Sequence, residues 1–338
     1  MRQTIIVILL LSFFGADLTG QNTRSLLLED MSESDFGIKC YCKPGVQNKS
    51  RPKGIEFYYN IIGPGKLKSE QLGTDPRFTK FRKAKFKLSF PLLRGEKHRI
   101  ITSYSLHAEQ YEFREVEDDF DGLFNQLDDR NFKSNSFNIF YSHSLDADNY
   151  LGFSLNNTFN GDYSGLFSFE GRYHILTGVA ALGFKKSDDN EWGFGLAMSK
   201  SFRNRGFRVL PFVYWYKNFN DQWGLESTIP SKIYFRYNYN PETILLFGYN
   251  YNGESYSFDA SNQQNRLTFN HNELQFLIRM ERKIVDWVWF EFAGGYQYNF
   301  DTTFENQIEA SDLLSVRPGG SAYIRFGLFL SPPDHFFK

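Results

Sequence analysis

Beyond its first twenty residues, this 338-residue chain has no apolar run of the roughly 20 residues that a membrane-spanning helix needs, and its mean hydropathy is −0.46. Transmembrane helices are therefore not expected from residue 21 onward. Charge of one sign is missing too. The 38 Lys and Arg against 39 Asp and Glu leave a formal net charge of −1, so nucleic acid is not an expected partner. Cysteine is almost absent, with Cys40 and Cys42 alone. Two thiols are too few for a metal site. Their i, i+2 spacing on an extended segment would put both on one face, where an oxidising compartment allows a small strained disulfide. No stretch reads as a helical domain or an inter-domain linker.

What is abundant is aromatic: 18% of residues, including 37 Phe and 20 Tyr. Such a load suits sheets and membrane interfaces, where amphipathic rings settle at headgroup level. The first residues have the layout of a secretory signal peptide. Arg2 is followed by the apolar run Ile5 to Phe14, then small or polar residues to Gly20, with cleavage expected at Gly20–Gln21. No cysteine lies near that cut, which argues against a lipoprotein.

From Gly54 onward, segments of alternating polarity are separated by Asn, Asp, Gly and Pro clusters, the pattern of strands and turns. The segments read as strands at 54–63, 80–91, 97–112, 133–144, 148–160, 173–186, 190–200, 207–217, 221–229, 232–239, 242–251, 271–283, 286–299 and 320–330. Connections at 92–97, 145–148, 187–190, 218–221, 240–242 and 284–286 are short. Those at 64–79, 113–132, 161–172, 252–270 and 300–319 are long, and briefer breaks fall near 201–206 and 230–231. Long and short connections alternate along the chain. That sorting is expected of an outer-membrane barrel, with tight periplasmic turns and longer extracellular loops. A soluble sandwich has no reason for it. The parity requires an even strand number. Fourteen is expected, and twelve is possible because the Pro230–Ser231 break is the weakest turn.

Each strand has one apolar face and one polar or small face, as side chains alternate across a strand. Ile233, Phe235, Tyr237 and Tyr239 oppose Tyr234, Arg236, Asn238 and Asn240; Phe86, Leu88 and Phe90 oppose Lys85, Lys87 and Ser89. In "DWVWFEFAGGYQYNF" (286–300), Val288, Phe290, Phe292, Tyr296 and Tyr298 face one way, while Trp289, Glu291, Gln297 and Asn299 face the other. Alternation alone does not say which face is inside. The signal peptide, the loop parity and the Tyr-rich strand ends point to apolar outward. In lipid the backbone must pair internally, and without helices only a closed barrel achieves that. The expected fold is all-β: a single antiparallel transmembrane β-barrel over 54–331, preceded by the signal peptide (1–20) and an N-terminal segment (21–53), and followed by a tail (332–338).

Three stretches, "LDDRNFKSNSFNIFYSHSLDADNYLGFSLNNTFNGDYSG" (127–165), "FRVLPFVYWYKNFNDQWGLESTIPSKIYFRYN" (207–238) and "WVWFEFAGGYQYNFD" (287–301), resemble an uncharacterised outer-membrane β-barrel family, a domain of unknown function in Gram-negative bacteria. The likeness runs from about Phe36 to Pro333 and rests on whole-strand texture. It implies a membrane barrel and brings no catalytic residues. Two features depart from the family: the "SPPDHFFK" tail, where many outer-membrane proteins end on the aromatic residue of the last strand, and the Cys40/Cys42 pair.

The charged residues assigned to the lumen are Lys85, Lys87, Glu226, Arg236, Glu273, Arg279, Glu281, Glu291 and Arg325. They are compatible with a polar pore, and equally with a lumen plugged by its own salt bridges, since barrels of about eight strands are filled and those of 16–18 are open. "REVEDDFDGLFNQLDDR" (114–130) holds seven carboxylates but matches no calcium loop; Phe120, Leu123, Phe124 and Leu127 at helical spacing also fit a short helix over the barrel mouth. Residues 21–53 read as a plug, an additional strand or a periplasmic tail. A lipid-modifying enzyme would need a nucleophile and base. His107 shares its inward face with Glu109, Ser103 and Ser105, but no motif ties a Ser to a His. The expected function is passage of small solutes, shifting toward gated uptake of hydrophobic compounds if 21–53 form a plug. The alternative is a closed barrel presenting its loops for adhesion. No cofactor, metal or catalytic residue is expected. The expected surroundings are outer-membrane lipid, lipopolysaccharide and the outer-membrane assembly machinery.

Overall fold

The computed structural model describes residues 44–46, 48–69, 71, 77–114, 123–128, 130–202, 207–259, 266–307 and 311–332. The signal-peptide reading, Cys40, Cys42, Phe120 and most of the tail lie outside them, as do all but one of the acidic-loop carboxylates.

Fourteen strands close a barrel: β1 (Ile55–Ile62), β3 (Arg77–Arg94), β4 (His98–Arg114), β5 (Asn131–Ser144), β6 (Asn149–Gly161), β7 (His174–Ser187), β8 (Asn190–Ser201), β9 (Arg208–Asn218), β10 (Trp223–Ile229), β11 (Lys232–Asn240), β12 (Thr243–Asp259), β13 (Arg266–Val285), β14 (Val288–Asn306) and β16 (Ser321–Leu330). Neighbours pair antiparallel, and β1 seals the ring by pairing with both β3 and β16. Two short strands, β2 (Gly65–Lys68) and β15 (Ser311–Pro318), pair with each other and bridge β3 to β14, carrying the wall past the ends of β1 and β16. The expected antiparallel transmembrane barrel of fourteen strands is thus the observed fold, with a real turn at Pro230–Ser231. Short turns join β3–β4, β5–β6, β7–β8, β9–β10, β11–β12 and β13–β14 at one end, the short-turn end. The opposite, long-loop end carries helix α1 (Leu123–Asp128).

The wall is apolar outside and polar inside. Phe57, Phe137, Leu155, Phe194, Ile278 and Leu328 stand 37–60% exposed on the outer surface, while Glu109, Glu191, Arg236 and Glu281 are 0–1% exposed. Large apolar groups are stable on the outside only against lipid. The small face of β8 has a steric cause. Side chains at Gly193 or Gly195 would collide with the inward rings of Tyr214 and Phe212.

The strands are longer than the alternating pattern predicts. Residues 252–270 read as a loop, yet β12 runs on to Asp259 and β13 starts at Arg266, paired throughout from Gly253–Asn272 to Asp259–Arg266. Likewise β14 runs on to Asn306, and β2 and β15 occupy stretches read as loop. The reason is burial on both faces: Gly253–Phe258 and Leu267–Glu273 are buried at every position. The two-residue period, which needs one wet or lipid-facing side, therefore disappears. These extensions lean inward, and Ser257 of β12 reaches a parallel bridge with Gly161 of β6. Leu123, Phe124 and Leu127 of α1 pack with Phe113, Phe269, Phe304 and Leu314 into an apolar cap at the long-loop end.

Candidate functional site

The short-turn end of the lumen is occupied by the chain itself. Residues 44–46 and 48–53 run inside the barrel before β1 begins, and polar contacts tie them to the wall. Gly45 N donates to Glu191, which also accepts from Tyr150 Oη. Ser50 donates twice to Glu226, from N to Oε1 and from Oγ to Oε2, both at 2.7 Å. Glu226 is also paired with Arg236 at 3.1 Å. Lys53 pairs with Glu291, with Glu56 at 3.1 Å and with Glu281 at 3.4 Å. Val46 is buried in an apolar seat with Tyr150, Phe212, Tyr214 and Tyr216. The segment makes no strand ladder. Its hold combines hydrogen-bonded carboxylate contacts, the apolar anchor at Val46, and carbonyl contacts in which Arg51 donates to Pro241 O and Asn238 Nδ2 donates to Asn48 O.

Two lysines of this segment respond oppositely to burial. Burial works against the charge of Lys53, but Glu291, Glu56 and Glu281 outweigh it and hold its ammonium well above the usual lysine range. For Lys49, whose Nζ lies 3.5 Å from the centroid of the Tyr216 ring, burial outweighs the attraction of Glu226 and Glu191 and pushes the group down.

Of the nine charged positions predicted to face the lumen, all are buried or half-buried on the inner side, but they fall into separate groups. Glu281, Glu291, Arg279 and Arg325 share one network with Lys53: Arg279 lies 3.5 Å from Glu281 and Arg325 3.7 Å from Glu291. Glu226 and Arg236 form the second, facing Ser50. Glu273 sits higher, 2.9 Å from Lys83. Lys85 and Lys87 line the central cavity. Sequence reading missed Lys53, Glu56, Lys83, Glu191 and Lys232, whereas Glu109 was placed on the inward face beside His107. Strand parity could have found Lys83 and Glu191. No periodicity marks Lys49 or Lys53, because their segment is irregular.

Above the middle of the barrel, Lys83 pairs with Glu109 at 3.0 Å and with Glu273, while His271 Nε2 lies 2.9 Å from Glu109. His107 lies 3.5 Å from Glu109 and 3.6 Å from Glu254. His107, Glu109 and Glu254 could together offer a metal three ligand atoms. The Lys83 ammonium already supplies the positive charge there, which disfavours a cation. No hydrogen bond joins His107 to Ser103 or Ser105 among the described residues, so the geometry assembles no Ser–His pair.

Between the inserted segment and the cap lies a cavity of about 240 Å³. Its lining runs from Lys53 and Glu56 up to Ser199, Ser201 and Arg208 at the long-loop ends of β8 and β9. The apolar cap is built from β2–β5, α1 and β12–β15. The hairpin of β10 and β11, of 7 and 9 residues, is far lower than β12 and β13, of 17 and 20. The polar interior therefore reaches the long-loop end beside the cap.

Residues 78–312 match the family model of a domain of unknown function (DUF6268). No functionally curated protein matches the sequence. Among solved structures, the chain is similar to a FadL homologue of Pseudomonas aeruginosa, at 9% identity over 83% of this chain and 90% of that one, with a TM-score of 0.38. It is also similar to the toluene transporter TodX of Pseudomonas putida (9%, 83% and 90%, TM-score 0.31) and to the outer membrane protease OmpT of Escherichia coli (9%, 84% and 99%, TM-score 0.26). These likenesses concern the barrel alone and span proteins of different function.

Proposed function

The chain belongs to the DUF6268 family, which brings no assigned activity, and we propose from its own geometry that it is an outer-membrane channel for small polar solutes, closed at rest by residues 44–53. The short-turn end then faces the periplasm and the long-loop end the exterior. The observation that carries this reading is the inserted segment. It occupies the short-turn end of the lumen with side-chain and backbone contacts to Glu191, Glu226, Glu281 and Glu291, yet its described residues belong to no strand of the wall. It can therefore leave without breaking the sheet. The cavity lining is dominated by Lys, Glu, Ser, Thr and Asn, which favours polar solutes over hydrophobic ones.

A closed barrel that presents its loops is the second reading, and the apolar cap over much of the mouth favours it. Planar-bilayer recording separates the two. The full-length protein should show brief or rare openings, and deletion of residues 21–53 should give steady steps of conductance at least about tenfold more frequent, as a barrel between filled and porin size allows. Silence from both proteins would leave the structural reading.

A further inference from the structure

We propose that His98 and His143 form a zinc site on the outer surface of the barrel, at its short-turn end. His98 opens β4, His143 stands near the end of β5, and the two are directly opposite in the ladder. Side chains alternate across a strand. With Ile101 and Phe140 buried on the inner side, His98, Tyr141 and His143 therefore stand on the outer one. Ser144 N donates to Lys97 O at 2.9 Å. That makes 97–144 a hydrogen-bonded pair and 98–143 the adjacent non-hydrogen-bonded one, the kind that brings opposed side chains closest. The two imidazoles stack with centroids 4.6 Å and planes 27° apart, and their Nδ1 atoms are separated by 3.3 Å.

That separation is an edge of a zinc coordination sphere. Two nitrogens bound at roughly 2.0–2.1 Å and at the tetrahedral angle lie about 3.3–3.4 Å apart, whereas a right angle at the same bond length needs about 2.8–3.0 Å. Imidazole suits zinc, copper and nickel, and the spacing favours the tetrahedral ion among them. Tyr141 Oη lies 2.8 Å from the same His98 Nδ1. A ring nitrogen carries one in-plane lone pair or one hydrogen, so His98 Nδ1 cannot serve Tyr141 and His143 fully at once. An ion between the rings would use the lone pairs of both. Those lone pairs lie in the ring planes, and they converge once the His98 ring turns. It is exposed, and exposed side chains change rotamer readily. Water and Tyr141 Oη are at hand for the remaining positions. The site faces away from the lumen, so it stands or falls independently of solute passage.

The test is calorimetric titration of zinc into the full-length, tag-free, detergent-solubilised protein at neutral pH, after a chelator has stripped it of metal. The wild type should bind zinc saturably. His98→Ala and His143→Ala should each weaken that binding at least about tenfold, the lower end of what even an outer-shell change costs a metal site. His107→Ala should leave it unchanged, which separates the pair from the inward group of His107, Glu109 and Glu254. Cys40→Ser combined with Cys42→Ser should leave it unchanged too, which excludes the two thiols. Both rings reach the surface, and a retained mobility shift on heating in gels verifies that each variant is folded. Cobalt(II) in place of zinc should show the strong visible absorption of a tetrahedral ion, and His98→Ala should lose it. No saturable zinc binding, or equal binding by the wild type and both histidine variants, would overturn the proposal. The weak visible bands of six-coordinate cobalt would overturn it as well.

Discussion

At the short-turn end, residues 44–53 meet the wall through ammonium–carboxylate pairs and N–H donors to Glu191, Glu226 and Glu291, whereas at the long-loop end α1 and the strand extensions meet through phenyl and aliphatic groups around Phe124, Phe269 and Phe304. The two closures differ in what can undo them. Buried ion pairs have a desolvation cost that compensates much of their attraction, so their net hold is small until one partner is lost. Apolar packing is indifferent to ions and to which charges are present. One barrel thus has a reversible closure at one end and a static one at the other.

The comparison breaks most sharply if the anchor of Lys53 is removed. Glu281→Gln combined with Glu291→Gln leaves a buried ammonium with Glu56 alone, and loss of a buried partner costs about 3–5 kcal/mol. Trypsin should then cut the folded barrel after Lys49 and Lys53 at least about tenfold faster than wild type; unchanged cutting would mean that these pairs do not hold the segment.

At the other end, Phe124→Ala with Leu127→Ala removes two side chains that are 1% and 0% exposed, each expected to cost about 2–5 kcal/mol of local packing. Proteolysis within residues 115–130 should accelerate while cutting at Lys49 and Lys53 stays as it was. Acceleration at both ends would show the closures to be coupled.

Salt gives a milder contrast. Raising it to about 1 M shortens the screening length to about 3 Å and should modestly speed trypsin at Lys53 in the wild type without touching the cap.

The smallest effect is in pH. Lys49 is held below its ordinary value of 10.5 in the seated segment, so the released segment binds more protons. Seating must therefore tighten as pH rises through the window below 10.5. Lys53 is shifted the opposite way and adds no change there, because its contribution falls away only above 10.5. Lys49→Met should abolish the slope of trypsin protection against pH, and a slope that persists would assign it to another group.

Much of the wall was legible, because lipid outside and charge inside impose a period of two that residues such as Phe86–Lys87 and Phe290–Glu291 display openly. The fourteen strands and the sorting of turns follow from that period and from Asn, Asp, Gly and Pro placement. The cap was not legible, since Gly253–Phe258 and Leu267–Glu273 are buried on both faces and carry no alternation. Only the Leu123, Phe124 and Leu127 spacing hinted at the helix. Lumen residues such as Glu281 and Glu291 could be placed on the inner face. Their common partner, Lys53, lies in an irregular stretch whose path depends on contacts 146 to 238 residues away, and no local pattern encodes that.

Lys53 also has a mechanical meaning. Its carboxylates sit on β1 (Glu56), β13 (Glu281) and β14 (Glu291), and between β14 and β1 stands β16, the strand that closes the ring. The next residue, Gly54, donates to Leu330 O and accepts from Ser89 N, joining β1 to both its neighbours. A single side chain therefore clasps the two flanks of the closing strand from within. Any force that unzips β16 from β1 must also part that clasp, so the segment that occupies the short-turn end is at the same time a rivet across the barrel's seam.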